Sequence, residues 1–177
     1  PSVTNMGNTV PYLDAMVAVP GALTYLKEVS YHRYQGYSPA NLQGIAARAK
    51  ALGLRTSMLE HIGSGVDALL EDVTVGNASA WQQYTLAYPT TDNGAQYFTI
   101  SGNRPVTGSL TRLLAPIFSA VKRGAVRVGS ASPDYVTAAF VNPDGRAVSV
   151  IRSTAAGSAT IVGLPVGHYT ITPTPNS

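Results

Sequence analysis

The feature that most constrains this chain is a change of pattern at Gly124. Upstream of it, segments with apolar residues at helical spacing alternate with short strand-like runs. Downstream, only strand and turn signals remain. Alternating segments argue for a parallel sheet with right-handed crossovers, and a series of short strands argues for a separate antiparallel layer. The chain therefore reads as two units, residues 1–124 and residues 125–177.

In the first unit, Thr9 to Ala18 predicts a short helix with Pro11 in its first turn. Pro20 ends that pattern, and Gly21 to Leu26 reads as a further turn. Glu28 to Tyr34 reads as a strand. The clearest helix follows, with Ser38 as N-cap and Pro39 at the first helical position. Leu42, Ile45, Ala46, Ala49 and Leu52 keep the helical period, and Gly53 stands where a C-terminal glycine cap belongs. Leu54 to Glu60 predicts a second strand, Gly65 to Glu71 a short helix and Ala78 to Ala87 a third strand. After the turn Thr91-Asp92-Asn93-Gly94, Gln96 to Ile100 is an extra strand. Thr107 is then the expected cap of a helix with Leu110, Leu113, Leu114, Ile117, Phe118 and Val121 on one face.

In the second unit, Ala125 to Val128, Val136 to Val141 and Ala147 to Arg152 are short strands. Asn142-Pro143-Asp144-Gly145 joins the last two as a hairpin turn. A second hairpin is expected from Ala159 to Val162 and His168 to Thr172, giving one layer of a small sandwich.

Composition removes several kinds of chemistry. The 177 residues include no Cys, which excludes disulfides, Cys-ligated zinc and thiol catalysis. The net charge is +3, and the basic residues are dispersed, with Lys122-Arg123 the only adjacent pair. No nucleic-acid partner is expected from such a distribution. No run approaches the about 18 apolar residues of a membrane span, so no membrane partner is expected. Pro1 to Asn8 carry no signal-peptide core. Asn77-Ala78-Ser79 has the form of a glycosylation acceptor and reads as an ordinary loop Asn. The 12% charged content and the missing Cys fit a secreted microbial enzyme.

Phosphate-loop, dinucleotide-binding, metalloprotease and nucleophile-elbow motifs are missing, and the three His are far apart. No cofactor and no metal are expected. What remains is a set of polar residues at strand C-terminal ends, where β/α arrays bind ligands. The first strand ends in His32 and Tyr34, two apart and on one face. The second ends in Glu60, with His61 next to it and expected on the opposite face. The third carries Trp81, Gln83 and Tyr84. A carboxylate, an imidazole and aromatic rings at one rim suit a sugar-binding cleft. The other reading of Glu60 is a rim acid paired with Arg33 or Arg55.

Several of these segments resemble glycoside hydrolase family 30. Tyr31-His32-Arg33-Tyr34-Gln35-Gly36 looks like the sixth strand end of its barrel, Leu59-Glu60-His61 like the seventh, and Ala80-Trp81-Gln82-Gln83-Tyr84 like the eighth. Phe118 to Val128 resembles the passage into the family's side β-sandwich, and Ala139 to Gly145 its hairpin. The resemblance runs from about Asn8 to the C-terminus. It implies an α/β fold, half of a TIM-type β/α barrel of about four β/α units, followed by a small antiparallel β-sandwich-like domain.

The resemblance also implies roles. Glu60 takes the place of the nucleophile of a retaining glycosidase. His32, Tyr34, His61, Trp81, Gln83 and Tyr84 form the expected substrate-binding set for a carbohydrate, with a Tyr where the family usually has a Trp. The family's Asn-Glu acid/base has no counterpart, because no Asn here precedes Glu. A retaining enzyme needs two carboxyl groups about 5–5.5 Å apart. Half a barrel has open strand edges, so the expected partner is a second copy or a complementing barrel half. A symmetric dimer would set two Glu60 across one mouth. The alternatives to a hydrolase are a non-catalytic carbohydrate-binding relic and an inert half-barrel.

Overall fold

The computed structural model describes residues 2–89 and 91–174. Four parallel strands form the main sheet in the order β1-β2-β3-β4. They are β1 (Ser2–Asn5), β2 (Glu28–Gln35), β3 (Arg55–Glu60) and β4 (Ala78–Trp81). The crossovers carry α1 (Thr9–Val17) with the single turn α2 (Ala22–Tyr25), then α3 (Pro39–Ala51), then α4 (Val66–Thr74). The Ser38 hydroxyl accepts the Asn41 N–H at 3.1 Å, so the start of α3 is fixed as its Ser-Pro signal indicates. Gly53 closes that helix at φ +69°, a backbone setting that favours glycine.

The sequence predicts no element before Thr9, yet β1 forms there. It holds a single buried apolar side chain, Val3, and takes strand form by pairing with β2. Tertiary pairing, not propensity, makes it a strand.

The core lies on the helix side of this sheet. Val29, Tyr31 and Met58 from the strands meet Leu13, Leu42, Ile45 and Ala49 from the helices, all buried. The other side of the sheet is polar, carrying Glu28, Ser30, His32 and Tyr34 on β2 and Ser57 on β3.

The third expected strand, Ala78 to Ala87, is two strands in different sheets. β4 stops at Trp81, and β5 (Thr85–Tyr88) pairs with β6 (Gln96–Ser101) in a small separate sheet. The break falls where the Gln83 side chain turns inward and donates to the Ser64 carbonyl. β7 (Arg104–Thr107) then pairs antiparallel to β6. Thr107 is therefore a strand residue, not the expected helix cap. The N-cap of α5 (Ser109–Ala120) is Gly108, and the carboxylate of Asp92 accepts the Ser109 N–H at 2.7 Å.

In the second unit, β8 (Val126–Val128), β9 (Val136–Val141) and β10 (Ala147–Arg152) form one antiparallel sheet. The β9–β10 turn is tight, with Gly145 at φ +81°. The second expected hairpin does not form. Residues 153–174 contain no strand, and Val162, Val166 and Ile171 stand almost fully exposed. Strand-forming side chains need a neighbouring strand and a half-buried surface, and here they have neither. The second unit is thus a single three-stranded sheet with an irregular tail. Asn142 pins it to the first unit by accepting the Lys122 N–H and donating to the Ala120 carbonyl, each at 2.9 Å.

Candidate functional site

The site is built by an irregularity in β3. Tyr31 of β2 pairs with Met58, but the next residue, His32, pairs with Glu60. Two residues of β3 thus oppose one step of β2, which is a β-bulge at Leu59. Regular alternation would put Glu60 on the face of Met58, among the helices. The bulge turns it to the polar face, beside His32 and Tyr34. The Tyr34 hydroxyl donates to Glu60 Oε1 at 2.7 Å.

Neighbouring rings complete the rim. His32 stacks on Tyr34 with centroids 6.1 Å apart, and His61 tilts against the Tyr34 ring at 5.1 Å. His61 does not lie on the opposite face as alternation predicts. The strand ends at Glu60, so the rule lapses and the chain turns His61 back over the rim. His61 Nδ1 is 2.8 Å from the Ser64 hydroxyl, and His32 Nδ1 is 3.2 Å from the Val3 carbonyl oxygen. Burial, then the field of Arg33, lowers the His61 pKa from its ordinary value. The Tyr34 pKa is raised, first by burial and then by its bond to Glu60, with a smaller contribution from Tyr84. Tyr84 itself is half exposed at this rim.

Two expected rim residues face elsewhere. Trp81 pairs with Met58 in the ladder and shares its helix-side face. Its Nε1 donates to Asp72 Oδ2 at 2.9 Å, and its ring packs on Phe118 of α5 at 6.3 Å. The expected stacking platform is therefore a core-side residue. Gln83 is buried as a tie to the β3–α4 loop.

Trp81 belongs to a buried cluster that sequence reasoning missed. Asp72 is fully buried and accepts from Tyr31 (2.9 Å), Arg33 (2.6 Å) and Trp81. Arg33 also pairs with Glu71 at 2.7 Å and lies 4.2 Å from the centre of the Tyr37 ring. Burial pushes the Asp72 carboxyl up, against the pull of Arg33. Because Arg33 is engaged with both of these acids, it is not the partner of Glu60. Among the described residues Glu60 has no ion pair, and Arg55 is not bonded to it. No group of three or more metal-ligating side chains occurs among the described residues. No helix among them is long and apolar enough to cross a membrane.

No protein-family model and no curated protein sequence matches the chain. Its fold does match solved structures. The catalytic domain of GH30 xylanase C from Talaromyces cellulolyticus superimposes over 85% of this chain with a TM-score of 0.63 at 22% identity. SrfJ from Salmonella typhimurium superimposes over 84% with a TM-score of 0.68 at 15% identity. The chain spans 38% of the length of each. Its fold is therefore that of part of a glycoside hydrolase family 30-like domain, a partial β/α barrel joined to an antiparallel sheet.

Proposed function

We propose that this chain supplies the nucleophile side of a retaining glycosidase site, with Glu60 as the nucleophile. The observation that carries the reading is the bulge at Leu59, which spends a ladder position to turn one carboxylate onto a polar rim. There it meets a tyrosine hydroxyl and, among the described residues, forms no ion pair. In this reading Glu60 attacks the anomeric carbon, and a covalent glycosyl ester forms as the leaving oxygen departs. Tyr34 holds the attacking oxygen, while His32, His61 and Tyr84 contact the sugar. A second carboxyl must protonate the leaving oxygen and later activate water. Glu28 is the other carboxylate on the same sheet face, but it lies at the opposite end of β2. The acid/base must come from a segment outside these residues.

An activated leaving group removes the need for that acid. Dinitrophenyl 2-deoxy-2-fluoroglycosides of a panel of sugars should release dinitrophenolate in a stoichiometric burst and leave a fluoroglycosyl adduct on the peptide containing Glu60. Glu60→Gln should give neither. If no sugar in the panel labels the wild-type chain, the nucleophile role fails. A non-catalytic carbohydrate-binding role is the second reading, favoured because among the described residues no second carboxylate is bonded at the Glu60 rim. Calorimetric binding of a xylo- or gluco-oligosaccharide with no adduct would select it.

A further inference from the structure

The rim holds two imidazoles, and the groups that meet their Nδ1 atoms differ in kind. His61 Nδ1 is 2.8 Å from the Ser64 hydroxyl. Ser64 is buried, and among the described residues its hydroxyl has no other hydrogen-bond partner. A buried hydroxyl proton needs an acceptor. A protonated Nδ1 would offer it none, so the hydroxyl donates and Nδ1 is the bare nitrogen. Burial and the field of Arg33 favour the neutral ring. Neutral His61 therefore carries its proton on Nε2. His32 is the reverse. Its Nδ1 is 3.2 Å from the Val3 carbonyl oxygen, a group that only accepts. The Ser2 hydroxyl, 3.3 Å away, can take either part. In neutral His32 the proton is thus on Nδ1, and Nε2 is bare. Neither Nε2 has a hydrogen-bond partner among the described residues.

The fold builds both settings. Val3 lies where the β1–β2 register shifts. Ser64 sits in a loop tied at two points. The Gly63 N–H donates to the Gly94 carbonyl at 3.3 Å, and the buried Gln83 amide donates to the Ser64 carbonyl. The Ser64 N–H closes a turn on the His61 carbonyl at 3.1 Å.

We infer that Ser64 is a positioning residue, and that the rim offers a sugar one nitrogen donor, His61 Nε2–H, and one nitrogen acceptor, His32 Nε2. Both rings rest against Tyr34, whose own proton is committed to Glu60. Hydroxyl groups satisfy both nitrogens, since each gives and accepts. A carboxylate on the ligand satisfies His61 alone. The tautomers stand on the geometry; their use in sugar recognition rests on the glycosidase reading of Glu60.

Long-range proton–nitrogen NMR of the imidazoles at pH 8.5 reads the tautomers directly. His61 should carry its proton on Nε2 and His32 on Nδ1. Both rings in the same tautomer would overturn the inference. Ser64→Ala should move the His61 Nδ1 signal further downfield, as a bare nitrogen that has lost its donor, and leave His32 unchanged. Ser64→Thr should restore it. Ser64→Ala should also slow fluoroglycoside labelling of Glu60 about 10-fold, the loss expected for one hydrogen bond, and Ser64→Thr should recover the rate. Circular dichroism establishes that each variant is folded. A His61 signal unmoved in Ser64→Ala overturns the positioning role, and so does labelling at the wild-type rate. Opposite tautomers in a wild-type chain that no fluoroglycoside labels would uphold the tautomers and remove the nucleophile reading alone.

Discussion

At the scale of single residues, the structure turns on how Glu60 is held. Its hydrogen bond from Tyr34 is a neutral donor on a charged acceptor, a class worth about 1.5–3 kcal/mol. Tyr34→Phe should therefore slow the fluoroglycoside labelling of Glu60 by about 10- to 100-fold. Its circular dichroism and melting temperature should stay close to wild type, since the hydroxyl is at the rim. An unchanged labelling rate would remove Tyr34 as an orienting group. That Glu60, His32 and Tyr34 stand at strand C-terminal ends was legible in the sequence, because the strands themselves were. Their mutual geometry was not. Simple alternation sends Glu60 toward Met58 and leaves only His61 on the face of Tyr34; the bulge at Leu59 brings Glu60 to that face as well. Trp81 misled for a related reason. Its aromatic character suggested a sugar platform, while the buried Asp72 that claims its N–H is 9 residues away on α4 and carries no local signal.

At the scale of elements, capping separates what local sequence could and could not predict. Ser38-Pro39 fixes α3 by contacts within four residues, and its start was readable. α5 is capped by Asp92 from 17 residues upstream, across the whole β6–β7 hairpin, so Thr107 looked like the cap instead. Asp92→Ala should cost about 1 kcal/mol in urea unfolding at pH 7, the usual loss for a cap. The pH dependence has a defined sign. Hydrogen bonds from the Ser109 and Gly94 backbone hold the folded Asp92 pKa below its ordinary value of 3.8. An acid depressed in the folded state stabilises above its unfolded pKa, and loses that contribution as pH falls through the folded one. The difference between wild type and Asp92→Ala should thus be constant from neutral pH down to about 5, and close only under strong acid. A difference that is the same in strong acid would mean that the carboxylate charge is irrelevant to the cap.

At the scale of the whole molecule, polar bonds tie the antiparallel sheet to the β/α part, at Asn142, Arg127 and Arg152. Asn142 satisfies both a carbonyl and an N–H at the end of α5. Asn142→Ala strands both groups, and should lower stability by about 2 kcal/mol, read as a fall in the urea midpoint. Loss of less than about 0.5 kcal/mol would show that water replaces the amide without penalty. That the chain turns from β/α segments to a separate antiparallel sheet was legible because the periodicity itself changes near Gly124; the missing second hairpin was not, because residues 159–172 have the composition of strands without a strand to pair with. The placement of the core has a further effect. The buried apolar core of the four-stranded unit lies between sheet and helices, behind the wall that bears the acid. Exchanging the rim side chains His32 and Tyr34 on the front of that wall leaves this apolar core untouched. A scaffold so divided is suited to acquiring new ligand preferences, or to losing an old reaction, while its backbone stays the same.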